Sequence, residues 1–94
     1  MNKDEQCFWE LVDQLIEFAN TQSGEHGPDM VNSALQYASA RFSAFVVAGN
    51  TDNMGDEKAE ALRFLTNHYR DVLRDNLDDF EENPPEKIEP IAPE

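Results

Sequence analysis

One arginine, Arg41, interrupts the apolar run SALQYASARFSAFVVAG at residues 33–49. A guanidinium offers five donors in a rigid fork that matches carboxylate and phosphate oxygens. Left unpaired among apolar groups, such a charge is expensive, so it must find an acid, reach water or receive an anion. Two uses stay open. Asp13 is the acid nearest the apolar edge of the first helical segment, and an Arg41–Asp13 pair would be a structural bridge. Alternatively, Arg41 takes a carboxylate or phosphate from a ligand or a partner subunit, with Tyr37, Asn20 and Asn76 as further polar contacts. Asn76 has a second reading, because it falls on an apolar stripe between Val72 and Phe80, where a buried amide fixes the register of neighbouring helices.

No other residues form a chemical signature. Neither a Ser–His–Asp order, nor a glycine-rich phosphate loop, nor a pair of catalytic carboxylates can be argued. His26 lies in a Gly-Pro stretch beside Glu25. His68 has Asp71 and Asp75 at i+3 and i+7 but lacks the Glu-x-x-His pairs of di-iron bundles. TDNMGDE lacks the alternating oxygen ligands of a calcium loop. Both histidines read as solvated side chains, and no metal or cofactor is expected. Cys7 is the single cysteine, which rules out an internal disulfide or a thiolate cluster and suits a small apolar filler beside Phe8 and Trp9. The expectation is a non-enzymatic protein.

The elements that must carry these residues are helical. Phe8, Leu11, Val12, Leu15 and Ala19 repeat at helical spacing, which predicts a helix from about Asp4 to Thr21. SGEHGPD breaks the pattern. A second helix begins at Asp29 and stops at Gly49. A third starts near Asp52 or Asp56 and runs to Phe80, with Ala61, Leu62, Leu65, Tyr69, Val72 and Leu73 on its stripe. Connections of about seven residues suit an antiparallel three-helix bundle. The all-α bundle domain is placed at 1–82. EENPPEKIEPIAPE holds four of the five prolines, so 83–94 are expected to form a disordered, Pro-rich acidic tail.

Twenty acids oppose seven bases, giving a formal net charge of −13. This excess repels phosphate backbones and anionic lipid, which argues against nucleic-acid and membrane partners and leaves a basic protein as a possible one. MNKDEQCFWE has no apolar signal core, and 34–49 are too short and too polar to span a bilayer. A cytoplasmic location is the expectation. The second helix carries an apolar arc of about 200°, wider than the stripe of an ordinary surface helix. Two neighbours cannot readily cover so broad a face, so a homodimer through the helix at 29–48 is expected.

Trp9 in CFW, FAN at 18–20, QYASARFSAFVVA at 36–48 and YRDVLRDNLDDF at 69–80 carry a resemblance. The sequence over about residues 7–82 is similar to small uncharacterised proteobacterial proteins, the domain-of-unknown-function 3144 family. The resemblance implies a small intracellular bacterial domain and brings no activity, substrate or cofactor. It also groups Asn20, Tyr37, Arg41, Asn76 and Asp79 as family-patterned polar positions.

Overall fold

The computed structural model describes residues 2–85 and contains three helices in chain order: α1 (Lys3–His26), α2 (Pro28–Gly49) and α3 (Met54–Glu82). The all-α architecture expected from the sequence is the one observed, with no strand among the described residues. Most of the expected acidic tail, residues 86–94, lies outside the described residues.

Local chemistry sets the helix ends. Asn2 opens α1 with a capping box: its side chain accepts from the Glu5 N–H at 2.7 Å, and the Glu5 carboxylate accepts from the Asn2 N–H at 3.2 Å. Two otherwise orphaned donors are thereby satisfied. Asn53 performs a similar role for α3, accepting from the Asp56 N–H at 3.3 Å while its amide donates to the Asp56 carboxylate at 2.9 Å. Asn83 closes α3, its N–H donating to the Asp79 carbonyl at 2.7 Å.

The first connection differs from expectation. SGEHGPD reads as a loop, yet α1 continues through Ser23, Gly24 and Glu25 to His26, and a single residue, Gly27, joins it to α2. Gly27 takes φ 87, where a side chain would be strained, and serves both helices. Its N–H donates to the Ser23 carbonyl at 2.9 Å, closing α1, and its carbonyl accepts from the Val31 N–H at 3.3 Å, opening α2. Pro28 then occupies the first position of α2, where its missing N–H is no loss. The second connection spans residues 50–53. Gly49 keeps a helical backbone and not the left-handed conformation of a glycine stop. Asn50 does the capping instead, donating from its amide to the Val46 carbonyl at 3.1 Å and from its N–H to Val47 at 3.0 Å.

The chain divides into two compact units, and the boundary falls inside α2. In the first, residues 2–40, Ala19 is buried at 8% exposure, Gln22, Ser23, Gly27, Pro28 and Val31 are half-buried along the glycine joint, and Val12 is half-buried further back on α1. Ser23 turns its hydroxyl onto the Ala19 carbonyl at 2.9 Å, so the joint is packed without an unpaired polar group. In the second unit, from residue 41 onward, Ser43, Val47, Thr51, Ala61 and Leu65 are half-buried. Ala19 is the one buried side chain among the described residues.

Candidate functional site

Asp13 and Asn20 lie on α1, Tyr37 and Arg41 on α2, and Asn76 on α3. Only Tyr37 and Arg41 are brought together by local structure, because residues four apart on one helix are neighbours one turn apart. Both are exposed, Tyr37 at 72%. Asp13, Asn20 and Asn76 are exposed as well. Where the stripe suggests a buried amide setting register, Asn76 instead turns back on its own helix, donating to the Val72 carbonyl at 2.9 Å. That bond satisfies the side chain locally and leaves it no bridging task. Asp79 accepts from the Asn83 amide at 3.1 Å, which assigns it to the end of α3.

Arg41 differs from the other arginines. Arg63 pairs with Glu60 at 3.2 Å, Arg70 with Asp71 at 3.8 Å, and Arg74 with Asp71 at 3.3 Å and Asp75 at 3.4 Å. These are exposed pairs within α3 and each contributes little, about 0–1 kcal/mol. Their importance is that three of the four guanidinium groups already face acids of their own helix. Arg41 makes no ion pair among the described residues. The i,i+3 spacing makes the Glu60–Arg63 and Asp71–Arg74 pairs legible in the sequence.

Charge is divided sharply among the helices. Lys3–His26 carries six acids and one Lys, and Met54–Glu82 carries nine acids and four bases, a net −5 for each. Pro28–Gly49 holds only Asp29 and Arg41 and is neutral. It also exposes large apolar side chains: Met30 at 63%, Phe42 at 66% and Phe45 at 69%. The Phe42 and Phe45 rings lie 6.1 Å apart, tilted by 38°.

The remaining candidates have modest surroundings. Cys7 is exposed, not an apolar filler as its neighbours suggest. The adjoining Phe8 and Trp9 rings meet edge to face at 4.9 Å. His26 stands 3.5 Å from Glu25, and His68 stacks on Phe64 at 6.4 Å between centroids. Among the described residues no group of three or more His, Cys, Asp or Glu is placed to hold a metal ion, and no described helix is long and apolar enough to cross a membrane.

Comparison with curated proteins and with solved structures gives no match. A family model matches residues 8–80, a stretch that runs from the start of the α1 stripe, through all of α2, to Phe80 near the end of α3. The helices and the segments singled out by the sequence therefore fall within a single family unit: the chain belongs to the family described as "Protein of unknown function (DUF3144)".

Proposed function

We propose that the protein is a non-enzymatic interaction module that acts by self-association through α2. The observation that carries the reading is the coincidence of two properties on one helix. α2 has no net charge between two helices of −5 each, and it leaves Met30, Tyr37, Phe42 and Phe45 exposed. Two chains of net −13 repel each other, and repulsion is least where neutral surfaces meet. Apolar side chains on that surface supply the attraction. Size-exclusion chromatography with multi-angle light scattering tests the reading. A mass of twice 10.7 kDa is expected at tens of micromolar. A strictly monomeric species at high micromolar concentration refutes it.

A second reading rests on Arg41, the arginine without an ion pair among the described residues. Here Arg41 receives a small carboxylate or phosphate, with Tyr37 one turn away as a hydroxyl partner. Thermal unfolding with and without inorganic phosphate separates the two readings. Stabilisation of the wild type that disappears in Arg41→Ala supports an anion site, and stabilisation that persists in Arg41→Ala removes Arg41 from it. The acid density of α1 and α3 makes a basic protein the partner class suited to the rest of the surface.

A further inference from the structure

Met30, Ala34, Tyr37, Arg41, Ala44 and Ala48 follow one another on α2 at steps of four and three. This is the 3.5-residue repeat of a coiled-coil seam. At 100° per residue the six occupy an arc of about 80°. Every one of them is exposed, while the half-buried positions of α2 within the helix, Val31, Ser43 and Val47, lie elsewhere on its circumference. The seam is thus a face that neither compact unit uses for its own packing.

Resting on the self-association proposed above, we infer the geometry of the pair. Two α2 helices dock antiparallel along this seam, with a two-fold axis crossing each helix at the height of Ser39, so that Arg41 of each chain lies over the Tyr37 ring of the other. The register follows from shape and charge. Reversing the seam about Ser39 sets Met30 against Ala48 of the second copy, Ala34 against Ala44, and Tyr37 against Arg41. Met30 meets a small side chain, the two alanines at 34 and 44 let the backbones approach, and the Tyr37 ring meets the flat Arg41 head. All six positions are used, because Ser39 lies at the middle of Pro28–Gly49. Sliding the pair by one heptad leaves two seam positions of each chain facing no α2 residue of the other. A parallel in-register pair places Arg41 against Arg41, which opposes like charges and takes each guanidinium away from the Tyr37 ring of the other chain.

The pairing also settles why a cation stands on an apolar face. A guanidinium within about 6 Å of an aromatic centroid is attracted to the ring face, and arginine is weakly hydrated enough to be covered there. Tyr37 is the one aromatic on the seam. Short side chains at Ala38 and Ala40 flank the axis and allow close approach of the two backbones. The area is adequate: Met30, Tyr37 and Phe45, which borders the seam, are each about two-thirds exposed. With the usual size of such side chains, covering them in both copies removes about 800 Å² before the alanines and the Arg41 stem are counted, against the ~1,000 Å² that a specific interface needs.

Disulfide trapping tests the register in the full chain. Cys7→Ser removes the native thiol, and Ala34→Cys and Ala44→Cys are made separately in that background. The two variants are mixed, re-equilibrated and oxidised with copper phenanthroline, and covalent dimer is read on a non-reducing gel. Positions 34 and 44 face each other only in the proposed register, so the mixture should yield at least tenfold more covalent dimer than either variant alone. Equal trapping of each variant with itself overturns the antiparallel arrangement. A dimer by light scattering with no trapping in the mixture overturns the register while leaving self-association standing. A monomer by light scattering overturns both. Circular dichroism matching the wild type confirms that the cysteine variants remain helical.

Discussion

Replacing Tyr37 by alanine should dissociate the protein, and the size of the effect follows from exposure. Tyr37 is 72% exposed within its own chain. An aromatic side chain carries 150–250 Å² in all, so about 150 Å² of each Tyr37 is available for cover by a second copy. At ~25 cal/mol per Å² the transfer term alone is about 4 kcal/mol per ring. Only part appears as affinity, because association restricts motion and strips water from the Arg41 head. Truncating a central interface aromatic typically costs about 2 kcal/mol or more. Two-fold symmetry counts the loss twice, giving about 4 kcal/mol and a dissociation constant weakened about a thousandfold. A dilution series in sedimentation equilibrium reads this directly. Two controls sharpen it. Tyr37→Phe keeps the ring and should stay within about threefold of wild type, since only the hydroxyl is lost. Ser39→Ala alters the side of α2 opposite the seam and should change nothing measurable. If Tyr37→Ala associates as tightly as Ser39→Ala does, the seam is not the interface.

Two further outcomes follow from charge and backbone. Raising sodium chloride from about 50 to 500 mM should tighten self-association, because screening weakens repulsion between the acidic α1 and α3 of the two chains; weaker association at high salt would mean that ion pairs, not the neutral seam, hold the dimer. Gly24 and Gly27, three residues apart, should respond oppositely to alanine. A Cβ at either meets nothing within 4 Å, so the backbone decides. Gly24→Ala lies inside α1 and should stabilise by about 0.5–1 kcal/mol. Gly27→Ala forces a side chain onto φ 87 and should destabilise by about 1–3 kcal/mol. Thermal unfolding followed by circular dichroism measures both, and shifts of the same sign would contradict the one-residue joint.

The three helices are legible in the sequence because the stripes of α1 and α3 repeat at helical spacing and turn residues separate the segments. The joint is not legible. Glycine and proline signal a break, but the signal does not tell whether it takes seven residues or one. Ser23 and Gly24 remain helical because Gly27 alone supplies the positive φ and Pro28 fits the first position of the next helix. The candidate site divides in the same way. Tyr37 and Arg41 are neighbours by helical spacing alone, which any reading of the pattern recovers. Asn76 on its stripe looks like an interhelical amide, but the choice between a neighbour and the carbonyl four residues back depends on packing, which spacing does not encode. Arg41 stands out once Arg63, Arg70 and Arg74 are seen to face acids of their own helix.

Folding and association should be coupled. Most helical stability in proteins comes from packing an apolar face, since isolated helices are marginal in water. Yet among the described residues only Ala19 is buried, and Phe8, Leu15, Phe18, Leu62 and Phe64 are each more than half exposed, as are Met30, Tyr37, Phe42 and Phe45 of α2. A chain that leaves so much apolar surface uncovered gains little of the burial that offsets conformational entropy. Cover supplied by a second copy then becomes part of the folding free energy, and stability acquires a mass-action term. Each tenfold rise in protein concentration adds about 1.4 kcal/mol per mole of dimer. For a unit of two such chains, 1 kcal/mol moves the melting temperature by about 2–4 °C. The midpoint should therefore climb about 3–6 °C per decade of concentration, followed by circular dichroism from about 1 to 100 µM. Tyr37→Ala should shift that curve down as a whole. A midpoint independent of concentration over the hundredfold range, with a monomeric mass throughout, would show that a single chain buries what it needs.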